Sequence, residues 1–310
     1  MKTLLLVLAG IVGISVAVEL SLRWFVGLGN PPLYIADEEI GYLLAPSQKT
    51  RRRGNKIEIN QYSMRSGEIT PEKAQDTFRV FLLGDSIVNG GWWTDDGDIL
   101  SELVKSQLQQ NQQYSDGLLE VFNASANSWN PRNEVAYLRK YGLFAADVLV
   151  LVINTDDLFG TAPSSAVVGK DRNYQAQNPP LAIVELYQRY FTKQQPIPEL
   201  EKLAQEGGDR VGFNLDAIKE IKAIATANEA EFLLVMTPLL REVQQGSRDY
   251  EIKARKRLED LVAEEDITYI DFLPIFNEFP QPEFLYRDSI HLSPQGETLV
   301  SKQIAEAISK

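Results

Sequence analysis

Residues 148–153 read Val-Leu-Val-Leu-Val-Ile, an apolar run with no polar residue on either side of the pleat. A strand of that kind must be covered on both faces, which is the position of a central strand in a parallel sheet. Further strands are predicted at 78–83, 118–122, 231–236 and 267–270, and helices at 99–109, 131–141, 215–227, 250–264 and 294–308. The punctuation agrees. Gly84 stops the first strand, Asp95, Asp96 and Asp98 suit a helix N-terminus, and Asn130-Pro131 supplies a cap and a first-turn proline. Strand and helix taking turns in this way predicts an α/β domain, with a parallel central sheet and helices on both faces.

Around that core the chain divides into an N-terminal hydrophobic segment (1–28), a lead-in (29–76) and the alternating domain (77–310). Within the last, the Pro- and Gln-rich stretch 159–210 interrupts the alternation. It reads as an insertion or lid beside the carboxyl edge of the sheet, with a helix near 181–191. Residues 3–18 are uncharged and rich in Leu, Val, Ile and Ala, and continuing through Trp24 and Val26 makes the run long enough to span a bilayer. Glu19 and Arg23, four apart, would then share one helical face near the interface, where Trp24 also fits. An uncleaved anchor with the rest outside the cytoplasm is the favoured reading. A cleaved signal peptide, with Ser15 and Ala17 before the cut, would instead yield a secreted protein.

Beyond residue 28 there are 29 basic and 42 acidic residues, a net charge of −13, so nucleic acid is not expected as a partner. Arg51-Arg52-Arg53 is the one basic run and reads as a solvated loop. The absence of cysteine excludes disulfides, thiol catalysis and a lipidated-cysteine anchor. With a single histidine besides, no transition-metal centre and no cofactor are expected. Gly90-Gly91 lacks the following Gly-Lys-Ser/Thr of a nucleotide loop.

The residues that carry chemistry fall in loops after the predicted strands, where open parallel sheets bind ligands. Ser86 follows the first strand in Gly84-Asp85-Ser86, 123–130 follows the second, 154–158 the third, and Asp288-Ser289-Ile290-His291 precedes the last helix. A serine hydroxyl becomes a nucleophile when a base takes its proton, and the base works best when a carboxylate fixes its tautomer. Ser86, the lone His291 and Asp288 supply those three parts. Trp92, Trp93 and Trp129 would lie near the same edge, where aromatic faces can stack on sugar rings.

The blocks Gly84-Asp85-Ser86 and Asp288-Ser289-Ile290-His291, in this order, resemble the SGNH (GDSL-type) hydrolase family. The lead-in pieces Ile40-Gly41-Tyr42-Leu43 and Ile59-Asn60-Gln61-Tyr62-Ser63-Met64-Arg65 look like its membrane-anchored members. The resemblance implies a flavodoxin-like three-layer αβα fold, with Ser86 as nucleophile, His291 as base and Asp288 orienting it. It implies an oxyanion hole formed by Ser86, by a second-block glycine and by a third-block asparagine. Here Ser128 stands at the glycine position. Asn154 lies one residue early, while Thr155 holds the strict place; Asn154 is taken as the donor because an amide suits an oxyanion better. The implied activity is an ester hydrolase of the cell envelope, removing short acyl groups such as acetyl from a glycan or small-molecule ester. An acyltransferase using the same triad and a catalytically silent envelope binding or assembly protein are the alternatives.

Overall fold

Strand and helix do alternate, because each strand carries two apolar faces and needs a helical layer on each. The computed structural model describes residues 1–111, 114 and 118–310. The chain opens with α1 (Lys2–Ser21), continued by a π-helical turn over Leu22–Val26. This one helix, Lys2–Val26, is 25 residues long with a mean hydropathy of 2.4, enough to cross a membrane, and most of its apolar side chains are exposed. Two antiparallel hairpins follow, β1 (Tyr34–Asp37) with β2 (Gly41–Leu44), and β3 (Gln48–Arg52) with β4 (Asn55–Ile59). Then come β5 (Thr77–Gly84), α2 (Ser86–Asn89), α3 (Leu100–Leu108), β6 (Leu118–Ser125), α4 (Pro131–Tyr141) and β7 (Val148–Asn154). Within the insertion lie α5 (Ala182–Tyr190) and α6 (Pro198–Leu203). The chain ends with α7 (Arg210–Ala227), β8 (Glu231–Thr237), α8 (Leu240–Gln245), α9 (Asp249–Glu264), β9 (Thr268–Asp271), α10 (Phe272–Asn277) and α11 (Pro294–Ile308).

Strands β5 to β9 form one parallel sheet in the order β6-β5-β7-β8-β9. The chain moves outward from β5 to β6, then crosses back to the other side of β5 to lay down β7. That reversal opens a crevice at the carboxyl ends of β5 and β7, the place where a doubly wound sheet binds its ligand. Side-chain alternation divides the core in two. Phe81, Leu83, Leu149, Leu151 and Leu234 face a layer built from α4, α7 and α9. Val80, Leu82, Val150, Val152 and Val235 face α3, α10 and α11. The two-residue period of a strand thus places every other residue of β7 in each layer, which is why its sequence carries no polar residue before Asn154.

The lead-in is more than a wrapping. Tyr34, Ile40, Tyr42, Ile57, Ile59 and Met64 are buried in the same cluster as Phe81 and Phe122. It also meets the insertion: the Tyr34 amide donates to the Gln175 carbonyl at 2.8 Å, Tyr42 packs edge to face against both Tyr34 and Tyr174, and those two rings meet at a tilt. Arg52 departs from the solvated loop expected of the arginine run. It is 5% exposed and pairs with Glu185 of α5, while its Nη1 donates to the Gly27 carbonyl at 2.6 Å. A buried guanidinium is tolerated because carboxylate and carbonyl acceptors surround it.

Candidate active site

β5 ends at Gly84, where the strands crowd. A Cβ there would stand 2.6 Å from the Val152 carbonyl of β7 and equally close to the Val88 side chain, so glycine is required for the close approach. Asp85 then caps α2, its Oδ1 accepting from the Ile87 amide at 2.8 Å. This turn lifts Ser86 onto the first residue of α2, at the crevice. The Ser86 Oγ stands 2.9 Å from His291 Nε2, and His291 Nδ1 stands 2.8 Å from Asp288 Oδ2. The structure therefore brings Ser86 together with His291, 205 positions later in the chain, and with Asp288 beside it.

Asp288 also accepts from the amides of Ile290 and His291, each at 2.9 Å. Partial burial would raise its carboxyl, but those two amides and the His291 ring outweigh burial and hold it below the usual carboxylate range. Asp288 is thus an acceptor only. Nδ1 of His291 must carry the ring proton toward it, which leaves Nε2 with a free lone pair for the Ser86 hydroxyl. Trp93 packs edge-on against the imidazole with ring centroids 4.8 Å apart, and the Arg287 guanidinium covers Trp93 at 5.1 Å.

The carboxyl ends of β6 and β7 supply the opposite wall. Ser128 has a φ of +61°, the left-handed region that glycine adopts without cost, and its Oγ accepts from the Tyr174 hydroxyl at 3.0 Å. Asn154 is held at both ends of its amide: Oδ1 accepts from the Asp156 amide at 2.8 Å, and Nδ2 donates to Asp85 Oδ2 at 2.9 Å. One N–H of that Nδ2 remains, and Asn154 lines the crevice. Thr155 does not line it. Its hydroxyl donates to Glu242 and accepts from Arg255 Nη2 at 2.9 Å, inside a buried network that Arg255 extends to the half-buried Asp271.

The crevice has a volume of about 610 Å³. Ser86, His291, Trp92 and Trp93 line it, together with Arg52 of β3 and Arg189 of α5. Of the three tryptophans expected to offer stacking faces, Trp92 and Trp93 are half-buried at its edge. Trp129 also lines it but keeps almost no surface there. Its indole is 1% exposed, packs against Tyr137, and donates from Nε1 to the Tyr42 carbonyl at 3.0 Å.

Several site residues escaped sequence reasoning. Arg65 is 1% exposed and donates to the carbonyls of Asn89 and Gly91, each at 2.6 Å, and of Thr94, also at 2.6 Å, with Asp96 as its ion partner at 2.9 Å. It thereby clamps the loop that carries Trp92 and Trp93. Asp95 and Asp96 do stand at a helix start, where Asp95 caps the 3-10 turn Asp96–Asp98 by accepting from the Gly97 amide at 3.2 Å. They also accept from the Lys56 and Glu58 amides of β4 and fasten the lead-in to this loop. Behind Ser86 lies a layer of buried acids. Burial raises Asp85, although the Ile87 amide and His291 pull it back. Burial, and then the charge of Asp85, pushes Asp157 and Glu134 well above the carboxylate range. Among the described residues neither carboxyl oxygen of Glu134 has a hydrogen-bond partner. No sequence signal marks these acids, because their neighbours become neighbours only when β7 is laid beside β5.

A doubly wound parallel sheet with a serine, a histidine and an acid in line at its switch point defines an αβα hydrolase class. The family model of the GDSL-like lipase/acylhydrolase family matches residues 82–299. The chain belongs to that family and is an SGNH-type hydrolase. Among solved structures it is similar to Axe2, an acetylxylan esterase from Geobacillus stearothermophilus, at 12% identity over 76% of this chain and 97% of that one, with a TM-score of 0.50. It is also similar to the lipase/acylhydrolase from Enterococcus faecalis, at 17% identity over 74% and 95%, with a TM-score of 0.46. At such identities the likeness to Axe2 is one of fold. No curated protein matches the chain.

Proposed function

We propose that the protein is a membrane-anchored ester hydrolase of the cell envelope that removes short acyl groups from a polar, glycan-like alcohol. The observation that carries this reading is the unbroken hydrogen-bond line from Ser86 Oγ through His291 to Asp288 at the crevice. Ser86 Oγ attacks the acyl carbonyl while His291 Nε2 takes its proton. The tetrahedral oxyanion is met by the Ser86 and Ser128 amides and the remaining Asn154 Nδ2 proton. His291 returns its proton to the leaving alcohol oxygen as the C–O bond breaks, leaving an acyl-enzyme. Water, deprotonated by His291, then releases the acid and restores Ser86.

The lining supports a polar alcohol. Asn127, Asn130, Asp156 and Asn173 share the wall with Trp92 and Tyr174. A long alkyl chain needs an apolar tunnel, whereas amides and carboxylates interleaved with aromatic faces suit a polyhydroxylated ring. Burial, reinforced by the charge of Asp85, pushes the Asp157 carboxyl beside Asn154 well above the usual carboxylate range, which favours its uncharged form and so lessens its opposition to the negative charge that develops at the oxyanion. In this reading residues 1–28 anchor the chain, 29–76 complete its core, and 77–310 form the hydrolase with 159–210 as its insertion.

A fluorophosphonate probe tests the reading. Wild type is expected to label, and Ser86→Ala to abolish labelling. Asp288→Asn should lower turnover of an acetyl ester on the order of 10²–10⁴ by spoiling the tautomer of His291. A folded wild type that neither labels nor cleaves short acyl esters would sink it.

A further inference from the structure

Helix α5 presents its apolar side in the wrong direction for a soluble domain. Ala182, Glu185 and Arg189 face inward, where Glu185 pairs with Arg52 and accepts from the Gly29 amide at 2.6 Å. Ile183, Tyr187, Tyr190 and Phe191 lie at i, i+4, i+7 and i+8 on the other side, the spacing of a continuous stripe. All four are exposed, Phe191 by 71% and Tyr187 by 60%. Tyr187 and Phe191 stack on each other at 6.0 Å with an interplanar angle of 13°. A polar helix face would cost nothing here, so an outward apolar stripe calls for something to cover it.

The position of α5 says what that is. Its N-terminus is capped by the end of α1: Glu19 accepts from the amides of Ala182 and Ile183 at 2.8 and 3.1 Å, and Arg23 holds Glu19 at 2.6 Å. Arg52 and Glu185 then bolt the inner face of α5 to Gly27 and Gly29, immediately after the helix ends. The 25 residues of Lys2–Val26 span about 37 Å, more than the ~30 Å hydrocarbon layer, so Glu19 and Arg23 fall at its boundary and Trp24 and Phe25 in the headgroup belt. Trp24 is 83% and Phe25 79% exposed. Three exposed cations flank the patch, Arg51 beside Gly27, Arg53 donating to the Tyr190 hydroxyl at 3.2 Å and Lys193 just past Phe191, in a domain of net negative charge.

We infer that α5 is a membrane-docking helix, whose Ile183, Tyr187, Tyr190 and Phe191 lie in the headgroup layer of the same bilayer that α1 spans. The domain is then held against the lipid at two points instead of swinging on a tether. Because Arg52 and Arg189, which hold Glu185 on the inner face of α5, also line the crevice, that part of the crevice lies one helix thickness, about 10 Å, from the bilayer. The inference rests on α1 being retained as an anchor, and it does not depend on the chemistry at Ser86.

The chain has no cysteine, which makes single-site labelling clean. The full chain, as Tyr187→Cys or Phe191→Cys carrying a polarity-sensitive fluorophore, is reconstituted into vesicles of phosphatidylethanolamine and phosphatidylglycerol. Lys302→Cys on α11 serves as the reference. At 187 and 191 the emission should shift to the blue, brominated acyl chains should quench it, and iodide should reach it roughly fivefold less than at 302. The same result is expected in the Ser86→Ala background, so a failed hydrolase reading leaves the outcome untouched. Equal access of iodide to 191 and 302 overturns the inference. A signal that fades as protein is diluted in the lipid assigns the stripe to a second copy and overturns it, as does a mature chain that lacks α1.

Discussion

The side-chain amide of Asn154 donates to Asp85 Oδ2 at 2.9 Å, and Asp85 is the residue that caps the turn bearing Ser86. The carboxyl ends of β5 and β7 are thereby tied by one hydrogen bond. Ser86 and the Asn154 amide cannot drift far apart without breaking it. Such preorganisation matters because an oxyanion donor is useful only where the charge develops, within about 3 Å of the reacting oxygen.

Asn154 and Thr155 should respond to substitution in opposite ways. Asn154→Ala removes a crevice-lining amide and is expected to lower kcat about 10²–10³-fold with a small change in KM. Thr155→Val breaks a buried hydroxyl link between Glu242 and Arg255 and is expected to cost about 1–3 kcal/mol of stability, with turnover within a few-fold of wild type. Steady-state kinetics and urea unfolding on both variants decide it. A large kcat loss in Thr155→Val would move the donor one residue along.

Ser128→Gly separates backbone from side chain. The substitution relieves a left-handed serine, worth about 1 kcal/mol, and gives up the bond from the Tyr174 hydroxyl, worth about the same. Stability should stay within about 1 kcal/mol. Turnover should stay within roughly threefold, because the backbone N–H is kept. A tenfold loss at unchanged KM would assign the function to the Ser128 hydroxyl.

How much of this could be read in advance follows from range. The strands were legible because each carries its pattern within a few residues, and β7 differs from its predicted run only by adding Asn154. Ser86 and His291 were legible as candidates because each sits at a junction beside a turn. What stayed hidden depends on distant partners. Arg52 looks solvated until Glu185, 133 residues later, is folded against it. Trp129 looks available for stacking until Tyr42, 87 residues earlier, takes its indole N–H and the core covers its faces. The lead-in hairpins are too short for their alternation to stand out, so their aromatic residues did not announce a contribution to the main core.

Arg65 is predicted to fail as lysine. A guanidinium offers five N–H donors in a rigid fork, and here they serve three loop carbonyls and Asp96 at once. An ammonium offers three and keeps the charge. Arg65→Lys should therefore lose about 2–3 kcal/mol of stability despite charge conservation, and it should raise KM by loosening Trp92 and Trp93. Urea unfolding together with KM measurement tests this. Unchanged values for both would show that the loop holds itself.

Glu297, on the first turn of α11, should set part of the pH dependence of stability. Burial, reinforced by the charge of Asp85, raises its carboxyl to about 8, and one of its oxygens is buried without a partner among the described residues. The folded protein therefore keeps this proton in a range where the unfolded chain, with a value near 4.5, has released it. Since the native state binds more protons, stability falls as pH rises through that window and levels off above about 8. Glu297→Gln removes the titration and keeps the shape. Its advantage over wild type should be absent near pH 4 and should grow to a few kcal/mol by pH 8. Glu134 and Asp157 leave a slope of the same sign in both proteins, so the difference between the two urea-midpoint curves is the quantity to measure. Parallel curves from pH 5 to pH 8 would mean that Glu297 ionises in the native state as readily as in the unfolded chain.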